Sequence, residues 1–183
     1  MDKPPTDRVP EKVLARGKFL ELVDEGGWEY VQRHGASGVV LIVATTERRE
    51  LVLVEQYRVP VHNRVIELPA GLVGDVPEHA AEPLERAAAR ELEEETGFVA
   101  RTWQRLVDIP SAVGVSTEVA TFFRATGLER VGKGGGDHTE DITVHLVPLD
   151  EIRLFLAEKL AGGKLVDPRI YAALYFILTE RQP

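Results

Sequence analysis

A run of glutamates on a segment backed by apolar residues constrains this chain most. It reads Arg90-Glu91-Leu92-Glu93-Glu94-Glu95-Thr96-Gly97-Phe98. On a helix that turns about 100° per residue, Glu91, Glu94 and Glu95 fall within an arc of about 100°, while Glu93 points nearly the opposite way. Three carboxylates on one face repel one another unless a cation binds between them. The pattern therefore predicts a site for a hard divalent cation such as Mg²⁺ or Mn²⁺, which prefers oxygen ligands.

The alternative for a Glu-rich run is a solvated acidic stripe on a surface helix. Pro83 suits the first turn of a helix and Gly97 suits its end, so we predict a helix from Pro83 to Thr96.

The whole segment resembles the Nudix box, G-x5-E-x7-R-E-U-x-E-E-x-G-U, in which U is apolar. From Glu82 through Phe98 the sequence matches this motif without a gap. Ten residues, Leu72 to Ala81, separate Gly71 from Glu82 where the family has five, so the chain carries an insertion there. The preceding Leu68-Pro69-Ala70-Gly71 is similar to the family's entry turn.

Composition excludes several classes of protein. With 30 acidic and 22 basic residues the net charge is −8, which argues against a nucleic-acid-binding surface. The absence of cysteine excludes disulfides, a thiolate nucleophile and sulfur-ligated zinc. No stretch has the pattern of a secretion signal or a membrane span. We expect a cytoplasmic protein that binds neither nucleic acid nor membrane.

Hydrophobic periodicity predicts four strands before the helix with the glutamates, and three strands and two helices after it. Mixed strands with helices on both faces imply an α/β fold of three layers, an α/β/α sandwich with a mixed β-sheet. The glycine-rich stretch from Gly127 to Thr139 is predicted to be a long mobile loop. The predicted strands are Val13 to Leu22, Trp28 to Arg33, Gly38 to Thr45, Leu51 to Tyr57, Trp103 to Ile109, Val119 to Ala125 and Ile142 to Val147, and the later helices are Leu149 to Leu160 and Pro168 to Thr179.

Nudix hydrolases cleave a nucleoside diphosphate linked to another group by metal-assisted attack of water on phosphorus. The resemblance implies that Glu91, Glu94 and Glu95 bind metal together with the carbonyl of Ala70. Arg90 would pair with a glutamate and hold the catalytic helix face in register, the alternative being a surface cation. The resemblance leaves Glu82 either as support for the metal ligands or as an exposed residue at the helix start, where the helix dipole favours an acid.

The resemblance extends over nearly the whole chain to the ADP-ribose pyrophosphatase branch. Arg58, in Glu55-Gln56-Tyr57-Arg58, would contact the diphosphate, because a guanidinium pairs with two phosphate oxygens at once. A surface charge on an edge strand is the alternative. Positions that hold the nucleobase in this branch match Trp28, Glu29 and Arg33, with Phe19 as a second stacking aromatic. Packing in the core is the alternative for both aromatic residues.

In this branch the tryptophan often comes from the partner subunit. The resemblance therefore implies a homodimer in which an N-terminal β region, residues 1–36, is exchanged between subunits, followed by a Nudix hydrolase domain at residues 37–183. An unshared hairpin would expose its edges to solvent.

Two glutamates compete for the role of general base. Glu140, in Asp137-His138-Thr139-Glu140-Asp141-Ile142, matches the branch's catalytic loop, and Glu118 is the rival, which would otherwise contact substrate or metal. The chain has Val113 where ADP-ribose pyrophosphatases commonly have proline. The expected reaction converts ADP-ribose to AMP and ribose 5-phosphate. GDP-mannose, FAD or another nucleoside diphosphate compound is the alternative substrate, and a non-catalytic nucleotide sensor is a further alternative, although such a sensor should have lost glutamates of the box.

Overall fold

The computed structural model describes residues 9–74, 81–136 and 141–179. Among these residues, seven strands precede the first helix, and a short 3₁₀ turn at Val59–Val61 follows β5. The strands are β1 (Lys12–Arg16), β2 (Leu20–Glu25), β3 (Trp28–Arg33), β4 (Gly38–Ala44), β5 (Glu50–Arg58), β6 (Asn63–Glu67), β7 (Ala70–Val73), β8 (Phe98–Pro110), β9 (Val119–Arg130), β10 (Thr143–Pro148) and β11 (Leu165–Val166), and the helices are α1 (Leu84–Thr96), α2 (Ile152–Ala161) and α3 (Arg169–Thr179).

The N-terminal strands form a three-stranded antiparallel sheet in the order β1-β2-β3. The single strand expected from Val13 to Leu22 is wrong, because the chain turns at Gly17, whose N–H donates to the carbonyl of Leu20 at 2.7 Å. This sheet joins the rest of the chain through Val31, whose N–H donates to the carbonyl of Val115 at 2.8 Å. The N-terminal sheet is therefore tied to the loop that carries Glu118.

Two four-stranded mixed sheets form the centre of the fold, in the orders β7-β4-β9-β8 and β10-β5-β6-β11. In the first sheet β4 and β9 run parallel, and in the second β6 and β11 run parallel; the other neighbours are antiparallel. The α/β class with mixed strands is confirmed, although the strands are divided between two sheets.

Two apolar cores lie on opposite faces of these strands. Successive side chains of a strand point to opposite faces, so Leu41 belongs to one core and its neighbour Ile42 to the other. Helix α1 covers the second core with Leu92, while α2 and α3 cover the first core with residues such as Leu156 and Ile170. The helices therefore lie on both faces, as the predicted α/β/α sandwich requires.

Helix α1 is the helix that carries the glutamates. It begins at Leu84, with Pro83 in extended conformation at the N-cap, and ends at Thr96 as expected. Gly97 follows with a φ of 73°, a left-handed conformation that favours glycine, and its N–H donates to the carbonyl of Glu93 at 2.8 Å. The last turn of the helix therefore has a defined exit.

The glycine-rich stretch differs from the predicted long loop. Strand β9 continues to Arg130, so the first residues of the expected loop belong to a strand. Residues 131–136 then pack against the end of α1, where Gly135 and Gly136 donate to the carbonyls of Glu95 and Glu94 at 2.8 and 3.1 Å. We call residues 131–136 the glycine strap. The remaining part of the predicted loop, residues 137–139, lies outside the described residues.

Within the described part of the chain, none of the helices combines the length and the apolar character needed to traverse a bilayer.

Candidate active site

A pocket of about 360 Å³ opens beside the first residues of β7 and the middle of α1. Its lining includes Glu91 and Glu95 of α1 and three arginines. The full lining is Arg33, Val39, Gln56, Arg58, Ala70, Gly71, Leu72, Glu91, Glu95, Glu118 and Arg169. Several of the residues that the sequence predicts for the site therefore lie together.

Glu95 and Glu91 occupy successive turns of α1 on the side that faces β7. Glu95 is 3% exposed, and its Oε2 accepts a hydrogen bond from the backbone N–H of Ala70 at 3.0 Å. A Cβ added to Gly71 would lie 1.9 Å from Cδ of Glu91. The Ala70-Gly71 turn thus holds one carboxylate by a hydrogen bond and leaves room for the other by lacking a side chain.

Arg90 links the acidic residues at the rim of the pocket. Its Nη1 donates to Oε1 of Glu91 at 2.8 Å and to Oε2 of Glu94 at 2.9 Å, and its Nη2 lies 3.4 Å from Oε2 of Glu82. Burial opposes the charge of this guanidinium, but the field of Glu91 and these hydrogen bonds outweigh it and raise the pKa of Arg90 above its ordinary value. Arg90 therefore stays charged and holds three glutamates.

Glu94 takes a different position from the other two predicted metal ligands. Its side chain is 51% exposed and it does not line the pocket. The three carboxylates expected on one helix face are thus divided, with Glu91 and Glu95 at the pocket and Glu94 on the outer side of Arg90.

The donor atoms at the pocket suit a hard divalent cation. Glu91, Glu95 and the backbone of Ala70 offer oxygen only, and the lining contains neither histidine nor cysteine. Among residues 9–74, 81–136 and 141–179, no three His, Cys, Asp or Glu side chains are grouped so that they could hold a metal. A cation at this pocket would need oxygens beyond its protein ligands, as Mg²⁺ usually does when it retains water or binds phosphate.

The basic side of the pocket consists of arginines that are each paired with a carboxylate. Nε of Arg58 donates to both carboxylate oxygens of Glu67 at 2.8 and 3.1 Å, and Nη2 donates to Oε2 at 2.5 Å. Glu67 is 5% exposed. Nε of Arg33 lies 3.5 Å from Oε2 of Glu118. These pairs fix the guanidinium groups before any ligand arrives.

Two polar residues of the lining, Gln56 and Arg169, were not assigned a role from the sequence. Gln56 follows Glu55 on β5, and its Nε2 donates to Glu67 at 3.4 Å. Arg169 begins α3, more than a hundred residues away from Arg58 in the sequence. The only signal was Asp167-Pro168-Arg169, a helix-start pattern that gives no tertiary position.

The aromatic residues predicted for the nucleobase lie on the N-terminal sheet, outside the pocket lining. Trp28 is 64% exposed and Phe19 is 58% exposed, so neither is packed in the core of this chain. Nζ of Lys18 lies 4.8 Å from the centroid of the Phe19 ring. Glu29, next to Trp28 on β3, is also exposed.

The two candidates for the general base differ in what the structure describes. Glu140 lies outside the described residues. Glu118 lines the same pocket as Glu91 and Glu95 and is paired with Arg33. The residue after Glu140, Asp141, is held by Nη1 of Arg64 at 2.8 Å.

Comparison with known proteins identifies the family. A family model described as NUDIX domain matches residues 33–171. An ADP-ribose pyrophosphatase of Mycobacterium tuberculosis (strain ATCC 25618 / H37Rv) is 42% identical over 131 residues, which are 71% of this chain and 59% of that protein. A GDP-mannose pyrophosphatase of Enterobacter sp. (strain 638) is 29% identical over 150 residues, which are 77% of this chain and 73% of that protein.

A solved structure described as an ADP compounds hydrolase has the same fold. It superposes with a TM-score of 0.68 and covers 94% of this chain and 91% of its own, at 24% sequence identity. At that identity the likeness concerns the fold alone.

Proposed function

The chain belongs to the Nudix hydrolase family, and from that premise we propose that it hydrolyses the diphosphate bond of ADP-ribose in the presence of Mg²⁺, releasing AMP and ribose 5-phosphate. The observation that carries the proposal is the pocket in which Glu91 and Glu95 share a lining with Arg33 and Arg58. Carboxylates suit a divalent cation and guanidinium groups suit phosphate oxygens, so a diphosphate compound satisfies both sides at once.

Glu91, Glu95 and the carbonyl of Ala70 would hold the cation, and Glu94 would serve a further ion near the rim. When bound, Mg²⁺ neutralises charge on the diphosphate and makes water more acidic. Arg90 would serve catalysis by orienting Glu91, to which it donates a hydrogen bond of 2.8 Å.

For the substrate, we propose that Arg58 contacts the diphosphate. Glu118, which is paired with Arg33, would contact the nucleotide. Trp28, Glu29 and Phe19 would bind the nucleobase in the site of a partner subunit. Their exposure in the single chain supports this assignment, since large exposed aromatics mark binding surfaces. The active form would then be a cytoplasmic homodimer in which residues 1–36 are exchanged and residues 37–183 form the hydrolase domain.

Glu140 is our choice for the general base, which would take the proton from the attacking water. It directly precedes Asp141, which Arg64 holds at 2.8 Å. Glu118 is the second choice.

GDP-mannose is the second candidate substrate, followed by FAD and other nucleoside diphosphate compounds. It is favoured by Val113, which stands where ADP-ribose pyrophosphatases commonly have proline, and by the relative described as a GDP-mannose pyrophosphatase. A non-catalytic nucleotide sensor is a weaker candidate, because Glu91, Glu94 and Glu95 are all present.

The proposal is tested by incubating purified protein with Mg²⁺ and, separately, ADP-ribose, GDP-mannose, FAD and NADH, and by separating the products chromatographically. We expect ADP-ribose to be hydrolysed faster than the other compounds, yielding AMP and ribose 5-phosphate. Chelation of Mg²⁺ should stop the reaction. If GMP is released from GDP-mannose faster than AMP is released from ADP-ribose, GDP-mannose is the substrate instead. No turnover of any compound would overturn the enzymatic function.

The shared site is tested by sedimentation across a range of protein concentrations and by Trp28→Ala. We expect a dimer, and we expect Trp28→Ala to raise KM for ADP-ribose while circular dichroism stays unchanged. A fully active monomer would contradict the shared site.

A further inference from the structure

The short strand β11 places Arg169 at the pocket. Strand β11, of two residues, pairs in parallel with β6 at Val65 and Ile66, immediately before Glu67. Asp167 follows β11, is 8% exposed, and donates its N–H to the carbonyl of Ile66 at 2.9 Å. This pairing brings the start of α3 next to Glu67, the carboxylate that holds Arg58.

Asp167 makes two separate contacts with Arg169. Its Oδ1 accepts the backbone N–H of Arg169 at 2.8 Å, which caps the first turn of α3. Its carboxylate also accepts Nε of Arg169 at 2.9 and 2.8 Å, together with Nη2. The cap needs only the backbone of residue 169, so capping does not explain why the side chain is arginine.

One edge of the Arg169 guanidinium remains available at the pocket. The contacts with Asp167 use Nε and Nη2, and within residues 9–74, 81–136 and 141–179 Nη1 donates to no acceptor. The side chain is 30% exposed and lines the same pocket as Glu91 and Glu95. The edge formed by Nη1 and Nη2 carries two parallel N–H groups, which is the geometry that pairs with two phosphate oxygens.

Arg58 is held in the same manner. Its Nε and Nη2 contact a buried carboxylate, Glu67, as those of Arg169 contact Asp167. Burial opposes the charge of Arg169, but Asp167, Glu67 and Glu118 together raise its pKa above the ordinary value, so it stays charged. The pocket thus contains two guanidinium groups, each fixed along one edge by a buried acid.

We propose that Arg169 is a substrate-binding residue that contacts one phosphoryl group of the diphosphate while Arg58 contacts the other. The inference rests on the proposed function, because it assumes a diphosphate substrate. It assigns this role to a residue outside the Nudix box and outside the segment that contains Arg58.

The test measures the binding of each product phosphate separately from turnover. AMP and ribose 5-phosphate are titrated by calorimetry, with Mg²⁺, into the natural protein, Arg169→Gln and Arg169→Lys, and kcat and KM are measured with ADP-ribose. We expect Arg169→Gln to lower kcat/KM by about 10- to 100-fold, which is the size of effect that the loss of a charged hydrogen-bonding partner has. We expect the affinity for one product to fall by a similar factor while the other is retained, and the affected product identifies the phosphoryl group.

Two further variants make the result specific. Arg169→Lys keeps the charge without the two-pronged geometry, so it should restore only part of the lost affinity. Arg105→Gln is the matched control, because Arg105 also pairs with an aspartate, Asp108 at 2.8 Å, but lies outside the pocket lining. It should leave both affinities unchanged.

Unchanged affinity for both products in Arg169→Gln would overturn the inference, because the side chain would then only join α3 to Asp167. An equal loss for both products would also overturn it, because the pocket as a whole would have changed. Failure of the natural protein to cleave any nucleoside diphosphate compound would instead count against the proposed function, and it is visible without any variant.

Discussion

The carboxylate of Glu91 occupies the space that a side chain at Gly71 would need. A Cβ on Gly71 would lie 1.9 Å from Cδ and 2.1 Å from Oε1 of Glu91. Glycine at this position of β7 is therefore explained by the glutamate opposite it on α1.

Gly71→Ala should strongly reduce activity while leaving stability nearly unchanged. The three atoms nearest to the new methyl group all belong to the side chain of Glu91, which can rotate away, so the free energy of unfolding should change by less than about 1 kcal/mol. The displaced carboxylate should lower kcat/KM by about 100-fold, since misplacement by about 1 Å can cost that much. Urea unfolding and steady-state kinetics check both expectations.

Gly114→Ala is the control for that experiment, because a Cβ at Gly114 would meet nothing within 4 Å. It should leave kcat/KM unchanged. Retained activity in Gly71→Ala would show that the position of Glu91 in this pocket is unimportant for catalysis.

A methyl group added in the glycine strap, at Gly134, should affect stability. Gly134 has a φ of 68°, and a Cβ there would lie 2.4 Å from the carbonyl carbon of Thr96, which is backbone that cannot rotate away. Gly134→Ala should therefore displace the strap and release the carbonyls of Glu94 and Glu95, which accept hydrogen bonds from Gly136 and Gly135.

Gly35→Ala separates the clash from the cost of the backbone conformation, because Gly35 has a φ of 83° but a Cβ added there would meet nothing within 4 Å. We expect Gly134→Ala to lower the free energy of unfolding by about 1–3 kcal/mol more than Gly35→Ala, as overpacking does. Hydrogen exchange at Gly135 and Gly136 should accelerate only in Gly134→Ala. Equal effects of the two variants would mean that the strap does not support the helix end.

The sequence predicts the elements near the glutamates better than it predicts the distant parts of the pocket. The box helix ends at Thr96 as expected because local residues, Pro83 and Gly97, determine its limits. Position in the pocket depends instead on tertiary pairing. Arg169 reaches the site through the two-residue strand β11, which is too short to produce a periodic signal.

Two boundary errors have similar physical causes. The turn at Gly17 separates β1 from β2 within a stretch of apolar and charged residues that reads as one strand. Strand β9 extends to Arg130 because it continues to pair with β8, where Arg130 lies opposite Phe98. Pairing partners decide how far a strand extends, and one sequence does not reveal them.

The ion pairs of Glu55 should make the free energy of unfolding depend on pH. This carboxylate is 4% exposed and accepts hydrogen bonds from Lys159 at 2.8 Å, Lys164 and His145. Burial opposes its ionisation, but these hydrogen bonds outweigh it and hold the pKa of Glu55 well below its ordinary value of 4.5. Because the pKa is lower in the folded chain, the stabilising contribution is complete above about pH 4.5 and is lost as the pH falls towards the folded pKa.

Glu55→Gln should lower the free energy of unfolding at neutral pH by about 1–3 kcal/mol, because it leaves the partly buried cations Lys159 and Lys164 without their acid. In urea titrations it should also flatten the decrease in stability that we expect of the natural protein below pH 4.5. Glu47→Gln, which removes an exposed partner of Arg101, should cost less than about 1 kcal/mol. A Glu55 variant as stable as the Glu47 variant would contradict the interpretation.

The general base is tested by comparing Glu140→Gln with Glu118→Gln. Loss of a general base lowers turnover by about 10²- to 10⁴-fold. We expect that decrease in kcat for Glu140→Gln, with little change in KM for ADP-ribose. Glu118→Gln should mainly raise KM, because Glu118 pairs with Arg33 at the pocket. The reverse pattern would assign the base to Glu118.

The most direct test of the central claim is the binding of Mn²⁺, followed by electron paramagnetic resonance, to the natural protein and to Glu95→Gln. Glu95 is buried beside Ala70, and its carboxylate is a proposed ligand of the cation. We predict that Glu95→Gln weakens Mn²⁺ binding by at least about tenfold while its circular dichroism matches that of the natural protein. Equal Mn²⁺ binding by the two proteins would contradict the claim that this pocket holds a divalent cation.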